Sequence, residues 1–332
     1  MAELSWTTVG KYRALIRPEF DSRDLRESLA ALPDVLKGPG VKVLQAGRHI
    51  TSRLALPAAG AAIDAVVKQF GRQSPAKDLW DRLHGSKARR TFAAADFLKA
   101  GGVGTIPPVA CLERWAGIRL KESYFISAYM ADTVCLKDRL AEIWRTSTDG
   151  ADFAPLLKLV AEGIRDLHDA GCTHGDLGNQ NIELVRDKDG DGFSSVAFLD
   201  LNRARFGKEL SIADRAGDLA RIALPDGLYD RFFSFYWRGD VPPEFVSAYR
   251  RLRALFKLHG KTRKFRHPFR ELKYRRHPET APAQAGYPLP YVTDGTLRDG
   301  HYTDASGRRL TPQEVAALPA GTSIYRFCEE RR

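Results

Sequence analysis

A cluster of polar residues in the middle of the chain has the residue types and spacing that phosphoryl transfer requires. His174 and Asp176 lie in a predicted loop after a helix, Asn181 follows, and Asp200 ends an apolar run that is typical of a strand. A carboxylate can orient an acceptor hydroxyl, while an amide and a second carboxylate can hold Mg²⁺ on the phosphates. We therefore predict Asp176 and His174 as catalytic residues and Asn181 and Asp200 as metal ligands.

The order and spacing match the His-x-Asp-x-x-x-x-Asn loop of protein kinases and their later metal-binding Asp. Asp and Asn also favour ordinary turns, so a lone His-Gly-Asp would indicate only a loop. The neighbouring segments favour the functional interpretation. An apolar helical stripe precedes the loop and a short apolar run precedes the second Asp: Leu159, Val160, Ile164 and Leu167, and Phe198-Leu199.

Composition limits the class of protein. The chain has 332 residues, of which 43% are hydrophobic and 28% charged, so it is a globular protein and not a disordered one. Its formal net charge of +11 indicates an anionic partner. The four cysteines are far apart, which predicts neither a zinc site nor a disulfide framework. The N-terminus has no apolar signal-peptide core, so we expect a cytoplasmic protein in a reducing compartment.

The periodicity of apolar residues predicts an α+β fold of two lobes, a small β-rich N-lobe and a larger, mostly helical C-lobe. We expect four segments: an N-terminal helical extension (1–40), the N-lobe (41–131), the C-lobe (132–283) and a small appended module (284–332). Helices are predicted at 22–36, 86–100, 136–144, 153–170, 214–222 and 229–237. The appended module contains a capping box, in which Thr311 and Glu314 flank Pro312.

The predicted N-lobe contains three strands joined by two turns. The first turn lies near Gly47, the third strand ends in Ala65-Val-Val-Lys-Gln-Phe70, and the connector to the C-lobe is Ala128-Tyr-Met-Ala131. In a kinase, these positions cover the phosphates, bind them through a Lys and meet the adenine. We therefore predict Gly47, Lys68, Tyr129 and Met130 as nucleotide-binding residues.

Two motifs resemble ligand sites but have simpler interpretations. Gly101-Gly-Val-Gly104 follows the predicted helix 86–100, and a helix C-cap with a turn explains it better than a phosphate loop does. Asp187-Lys-Asp-Gly-Asp-Gly192 opens like a calcium loop, but its twelfth position is Phe198 and not Glu. Apolar segments flank the latter motif, so we predict a hairpin turn there.

A basic segment follows the predicted helices. Lys257 to Pro278 contains nine Lys or Arg residues and one acid, Glu271, interleaved with Phe265, Phe269 and Tyr274. Such a run is often only a solvated face. An anionic membrane surface would attract it through residues 257–276, because each basic residue near such a surface contributes about 1 kcal/mol. The chain lacks a recognised nucleic-acid-binding motif, which disfavours nucleic acid as the partner.

Over roughly residues 40 to 225 the sequence resembles the lipopolysaccharide kinase superfamily, bacterial enzymes of protein-kinase-like fold that phosphorylate Kdo or heptose in the lipopolysaccharide inner core. The similar segments are Ser86-Lys-Ala-Arg-Arg90 with Gly102-Val-Gly-Thr-Ile-Pro107, Leu167-His-Asp-Ala-Gly-Cys-Thr-His-Gly-Asp-Leu177 with Asn181-Ile182, and Phe198-Leu-Asp-Leu-Asn-Arg-Ala-Arg205.

The resemblance implies an ATP- and Mg²⁺-dependent sugar kinase at the inner face of the cytoplasmic membrane. It implies Asp176 as the catalytic base, Asn181 and Asp200 as metal ligands and Lys68 as the phosphate-binding lysine. One feature departs from eukaryotic-type kinases, because helix 86–100 has no Glu to pair with Lys68 and Asp96 is its only carboxylate. A protein or small-molecule kinase and a pseudokinase or nucleic-acid-binding scaffold stay open as alternatives.

Overall fold

The computed structural model describes residues 4–58, 60–146, 153–188, 190, 192–224, 227–266, 268, 272, 276, 288–292, 301–303, 308–319 and 322–327. These residues form two compact units. The first comprises the chain up to Thr133 together with Asp166–Asp176 and Val196–Glu209. The second comprises Val134–Arg165, Leu177–Ser195 and the chain from Leu210 onward. The predicted α+β class is confirmed, with a β-rich N-terminal part and a mostly helical later part.

The strands are β1 (Thr7–Val9), β2 (Tyr12–Ile16), β3 (Lys42–Gln45), β4 (His49–Ala58), β5 (Ala61–Phe70), β6 (Pro108–Ala116), β7 (Arg119–Ala128), β8 (Thr133–Cys135), β9 (Ile182–Arg186), β10 (Phe193–Phe198), β11 (Pro288–Val292), β12 (His301–Thr303), β13 (Arg309–Leu310) and β14 (Ser323–Phe327).

The helices are α1 (Arg23–Ala30), α2 (Leu32–Val35), α3 (Pro75–His84), α4 (Lys87–Ala100), α5 (Leu136–Thr146), α6 (Phe153–Asp169), α7 (Ile212–Leu219), α8 (Tyr229–Trp237), α9 (Pro243–Lys261), α10 (Arg263–Arg266) and α11 (Pro312–Ala317). Short 3-10 turns occur at Asn179–Asn181 and Leu201–Arg203.

A seven-stranded antiparallel sheet is the core of the first unit, with the order β1-β2-β6-β7-β5-β4-β3. Helix α1 packs on it through Leu25 and Leu29, which are buried with Leu54 and Leu56 of β4. The structure here differs from the expected helical extension at 1–40. The segment contributes β1 and β2 to the sheet, and the helix expected over 22–36 is divided before Pro33, whose ring cannot continue an α-helix.

Helix α4 lies on the same sheet, with contacts to β6 and β7. Its N-cap Ser86 accepts a hydrogen bond from the N–H of Arg89 at 3.1 Å, and Phe92 and Leu98 are buried. Gly101 ends the helix by donating to the carbonyl of Phe97. The predicted C-cap is therefore present, and Gly102 adopts the positive φ of +71° that such a cap favours.

The second unit is mostly helical and has two small sheets, β10-β9-β8 and β11-β14-β12-β13. Strands β9 and β10 form the predicted hairpin, closed by the N–H of Asp187 on the carbonyl of Gly192 at 3.0 Å. The predicted capping box at Thr311 and Glu314 is also present. Parts of the expected hairpin at 297–310 lie outside the described residues. No helix in the described ranges is long and apolar enough to cross a bilayer.

Candidate active site

The centre of the site is an ion pair between two residues that the sequence predicted for it. Lys68, on β5, lies with its Nζ 2.7 Å from Oδ1 of Asp200, just after β10. They are 132 residues apart in sequence, and both belong to the first unit. The lysine side chain is 20% exposed and the aspartate 35% exposed, so solvent screening is incomplete and ligands still have access.

Asp200 has an unusual backbone and a perturbed pKa. Its φ of 55° and ψ of 46° lie in the left-handed region, which is strained for a residue with a side chain. Burial alone would raise the pKa of its carboxyl. The charge and hydrogen bond of Lys68 and a hydrogen bond from Asn202 Nδ2 at 2.5 Å outweigh burial and hold that pKa below its usual value. Asp200 is therefore an anion at neutral pH.

His174 connects the predicted catalytic loop to the strand that leads to Asp200. Its Nδ1 accepts the N–H of Asp176 at 3.3 Å, so the neutral ring carries its hydrogen on Nε2, which donates to the carbonyl of Leu199 at 2.7 Å. The ring is fully buried. His174 thus links Asp176 to Leu199 through its ring, and its catalytic role stays a prediction.

Two further contacts fix the loop that carries Asp176. Thr173 and Arg205 exchange backbone hydrogen bonds at 2.8 and 3.0 Å. Gly175 has a φ of +73°, and a Cβ there would lie 2.5 Å from the carbonyl oxygen of Arg203, so only glycine fits. The His-Gly-Asp spacing is thus required by a close approach between two backbone segments.

The carboxylate of Asp176 is accessible and has a basic neighbour. Its side chain is 39% exposed, and Oδ2 lies 3.2 Å from Nη1 of Arg203. The sequence analysis did not identify Arg203 as a site residue. The only signal was its place three residues after Asp200 in Asp-Leu-Asn-Arg, which does not indicate a contact with Asp176.

A second set of contacts holds the segments on either side of Asp200. Arg90 of α4 donates to the carbonyl of Asn202 at 3.0 Å and pairs with Asp81 of α3 at 2.9 Å. Gly104 also contributes, because a Cβ there would lie 1.9 Å from the carbonyl oxygen of Val196 in β10. Its carbonyl accepts the N–H of Phe198 at 3.1 Å. Gly104 therefore permits the close approach of the strand that ends at Asp200.

Asp96 does not replace the helix Glu of eukaryotic-type kinases. Its carboxylate pairs with Arg17, which follows β2. Lys68 is instead paired with Asp200. Lys68, the predicted phosphate-binding lysine, therefore takes its carboxylate partner from the predicted metal site and not from α4.

The predicted adenine and phosphate-loop residues lie at the expected places in the sheet. Gly47 is exposed in the turn between β3 and β4, and a Cβ there would meet no atom within 4 Å. Tyr129 follows β7 and donates its N–H to the carbonyl of Asp64 at 2.7 Å, while its ring lies 3.6 Å from the guanidinium of Arg53. The Tyr129 N–H is thus already used, which leaves Met130 as the better candidate for adenine. Both roles stay predictions.

The predicted second metal ligand, Asn181, lies in the other unit, at the end of a 3-10 turn, and is buried. The amide of Asn179 anchors this turn by accepting from and donating to the backbone of Ala223 at 3.0 and 2.6 Å. Asn181 and Asp200 are described in separate units, so their joint role stays a prediction.

The carboxylate oxygens of Asp200 are suitable ligands for a hard cation. Both of its hydrogen bonds from described residues fall on Oδ1, and Oδ2 is left for another partner. Carboxylate and amide oxygens are the ligands that Mg²⁺ prefers. Asp200 and Asn181 are therefore of the right chemical type for Mg²⁺. No group of three or more His, Cys, Asp or Glu with metal-binding geometry occurs within the described ranges.

Residues 70–224 match the model of the Lipopolysaccharide kinase (Kdo/WaaP) family. Two solved structures are similar. One, WaaP in complex with acyl carrier protein, is 23% identical over 67% of this chain and 88% of that chain, with a TM-score of 0.48. The other, a double mutant of the Mycobacterium tuberculosis PknI kinase domain, is 14% identical over 55% and 72%, with a TM-score of 0.35. No curated protein matches the chain. The family match confirms the resemblance predicted from the sequence.

Proposed function

We propose that this ATP-dependent kinase, whose residues 70–224 match the lipopolysaccharide kinase family, phosphorylates a sugar hydroxyl, of Kdo or heptose, in the lipopolysaccharide inner core. The observation that carries the proposal is the joining of Lys68, Asp200 and the Asp176 loop in one unit. The family match adds the acceptor class.

In the proposed reaction, each residue has one task. Lys68 binds a phosphate oxygen of ATP, and Asp176 accepts the hydrogen of the sugar hydroxyl. The hydroxyl oxygen forms a bond to the γ-phosphorus, the bond to the ADP oxygen breaks, and the proton goes to Asp176. Arg203, 3.2 Å from Asp176, keeps that carboxylate oriented for this step.

We assign Mg²⁺ to Asp200 and Asn181. When bound, the ion neutralises the phosphate charge that otherwise repels an incoming oxygen. Lys68 also neutralises phosphate charge, because it would leave the carboxylate of Asp200 and pair with a phosphate. The open Oδ2 of Asp200 supports this assignment.

We further propose that the protein is cytoplasmic and binds an anionic membrane surface through residues 257–276. The segment's net positive charge supports this. Apolar side chains are also exposed on the adjoining helices, where Leu258 of α9 is 55% exposed and Phe265 of α10 is 85% exposed. Cations beside exposed apolar groups are typical of surfaces that lie at lipid headgroups. The acceptor, a glycolipid, would be found at such a surface.

The test is phosphate transfer from radiolabelled ATP to purified inner-core lipopolysaccharide, a protein mixture and aminoglycosides, measured side by side. We expect label on the Kdo or heptose of the lipopolysaccharide, with mass spectrometry locating it. Asp176→Asn should lower that transfer by about 10²–10⁴-fold. It should leave ATP affinity nearly unchanged, because the carboxylate meets the acceptor and not the nucleotide.

The matched control is Asp187→Asn, which changes an exposed acid outside the site and should keep wild-type turnover. Preferential labelling of protein or aminoglycoside would replace the proposed acceptor by one of the alternatives. Wild-type turnover in Asp176→Asn would instead refute the catalytic assignment.

A further inference from the structure

His49 and Lys87 bring two hydrogen-bond donors together without an acceptor between them. Nδ1 of His49, the first residue of β4, accepts the N–H of Gly71 at 3.0 Å. The neutral ring must then carry its hydrogen on Nε2. Nε2 lies 3.5 Å from Nζ of Lys87, which has only donors when charged. This close approach of two donors is unfavourable unless an acceptor joins them.

The surrounding charges make the same position strongly positive. Lys87 is the first residue of α4, the end of a helix that disfavours cations. Partial burial and the nearby charges of Arg48 and Lys77 lower the pKa of its ammonium to about 8. Burial and the charges of Lys87, Lys68 and Arg48 lower the pKa of His49 to about 4. At neutral pH the lysine is still mostly charged.

The two acids near this cluster, Asp81 and Asp200, already have hydrogen-bond or ion-pair partners. Asp81 accepts hydrogen bonds from Gln73 at 2.5 Å and from Arg90 at 2.9 Å. Asp200 is paired with Lys68. No carboxylate of the described residues forms an ion pair with Lys87. The positive charge at His49 and Lys87 is therefore only partly offset within this unit, by the more distant charges of Asp81 and Asp200.

We propose that His49 Nε2 and Lys87 Nζ together bind one phosphate group, as a second phosphate-binding pair beside Lys68. A phosphate has both the negative charge and the several acceptor oxygens that would turn this repulsive contact into two charge-assisted hydrogen bonds. His49 also directly follows the turn at 46–48, at the expected phosphate loop. This inference rests on the proposed kinase function.

Two sources of phosphate share this chemistry. One is the polyphosphate of ATP, which the proximity of His49 to the charges of Lys68 and Asp200 favours. The other is a phosphate already present on the acceptor. Both would be bound by the same pair of donors, so the experiment needs an arm for each source.

The variants are Lys87→Gln and His49→Gln, with Lys158→Gln as the matched control, since Lys158 is an exposed lysine on α6, in the second unit. Calorimetric titration with ATP, ADP and AMP measures the nucleotide arm. We expect Lys87→Gln to weaken ATP binding about tenfold and AMP binding much less. Steady-state KM values for a phosphate-bearing acceptor and its dephosphorylated form measure the other arm.

The Tm of the ligand-free protein separates a binding role from a structural one. Because Lys87→Gln removes a half-buried charge that has no ion-pair partner among the described residues, it should raise that Tm while reducing the further rise that ATP causes. A packing role predicts the opposite, a lower Tm with unchanged affinities. His49→Gln gives a second test if the first variant folds poorly.

Weaker ATP binding supports the pair with the nucleotide as source. Unchanged ATP binding with a raised KM only for the phosphate-bearing acceptor supports it with the acceptor as source. If ATP affinity and both KM values match those of Lys158→Gln, the proposal is overturned. The nucleotide titrations need no acceptor, so they stand even if the proposed sugar is wrong.

Discussion

At the scale of single residues, the ion pair of Lys68 and Asp200 governs how the site meets its ligands. Without a nucleotide, each group satisfies the other across 2.7 Å. When a nucleotide and a cation bind, Lys68 would pair with a phosphate and Asp200 with the cation, so each group would again have a partner of opposite charge. The pair therefore holds both groups in place before any ligand arrives, which reduces the reorganisation needed on binding.

Asp200→Ala should abolish the metal-dependent part of nucleotide binding, because it removes the carboxylate assigned to the cation. Lys68→Met should weaken nucleotide binding both with and without Mg²⁺ but keep the difference between the two conditions. The measurement is the thermal shift caused by ATP with Mg²⁺ and with EDTA. Asp176→Asn serves as a site variant that keeps both shifts. A full Mg²⁺-dependent shift in Asp200→Ala would show that Asp200 is not a ligand.

His49 makes stability depend on pH in a way that can be isolated. Its pKa is about 4 in the folded protein, below the ordinary value of 6.5, so the unfolded chain binds more protons between these values. Stability therefore rises with pH from about 4 to about 6.5 and is lost as pH falls through that window. His49→Gln should flatten this part of the profile in urea unfolding.

The exposed His84 provides the control for that experiment, since His84→Gln should leave the profile of the wild type unchanged. Parallel profiles for wild type and His49→Gln across the window would contradict the assigned shift.

Site residues could be proposed from the sequence where the signal was local, and their roles stay predictions. The spacing from His174 to Asn181 and the strand before Asp200 indicated the chemistry directly. Arg203 and Arg90 were not predicted as site residues, because their roles depend on contacts with Asp176 and Asn202 that only the folded chain creates. The link that His174 makes through its two ring contacts was not predicted for the same reason.

At the scale of elements, helix α3 buries acidic side chains and exposes apolar ones. Its carboxylates Asp78 and Asp81 are buried, while Leu79, Trp80 and Leu83 are 50%, 59% and 74% exposed. Asp78 lies 2.7 Å from Nε of Arg119 on β7, and Asp81 pairs with Arg90 on α4. Ion pairs and not apolar contacts thus hold this face of the helix. Reading apolar residues as the buried face would therefore place α3 the wrong way round, and no helix was predicted there.

Asp81→Asn should cost roughly 3–5 kcal/mol of stability, because it leaves the Arg90 guanidinium without its buried partner. Arg90 also donates to the carbonyl of Asn202, next to Asp200, so Mg²⁺-dependent ATP binding should weaken in the same variant. Urea unfolding measures the first effect and thermal shift the second.

Asp34→Asn is the control for this ion pair. Asp34 pairs with Lys37 at 3.1 Å with both side chains mostly exposed, so its loss should cost about 0–1 kcal/mol. Equal losses in the two variants would mean that Asp81 is no more important than an ordinary surface acid.

Helices and strands with a regular periodicity of apolar residues were predicted from the sequence, and elements without one were not. Helix α4 and strand β5 had clear patterns with a cap or a turn at their ends. The hairpin of β1 and β2 was missed, since its strands are only three and five residues long. Gly104 was interpreted only as part of a turn, because its close approach to Val196 involves a strand more than ninety residues later.

At the scale of the whole molecule, the excess of positive charge is the feature that calls for a partner. The chain carries +11, and the segment Lys257 to Pro278 alone has nine basic residues against one acid. Electrostatic attachment of this kind is reversible and weakens as salt screens it.

Replacing Arg263, Lys264, Arg266, Arg275 and Arg276 by Gln should reduce binding to vesicles that contain anionic lipid and raise the KM for a lipid-embedded acceptor. The KM for ATP should not change. Co-sedimentation at low and high salt measures the binding.

The control variant loses the same charge elsewhere, with Gln at Arg23, Lys37, Lys42, Lys77 and Lys121, which are exposed in the first unit. It should sediment like the wild type. Equally strong sedimentation of all three proteins at both salt concentrations would exclude this segment as the attachment site.

The partner of Lys68 also bears on regulation. Many protein kinases are switched off by swinging a helix so that its Glu leaves the phosphate-binding lysine. Helix α4 has no Glu to withdraw, and its one acid is held by Arg17. Lys68 takes its partner from a loop that α4 supports through Arg90, so moving the helix would disturb both halves of the site together. A movement of α4 would therefore act on this site through Arg90 and Asn202, and not through the loss of a lysine–glutamate pair.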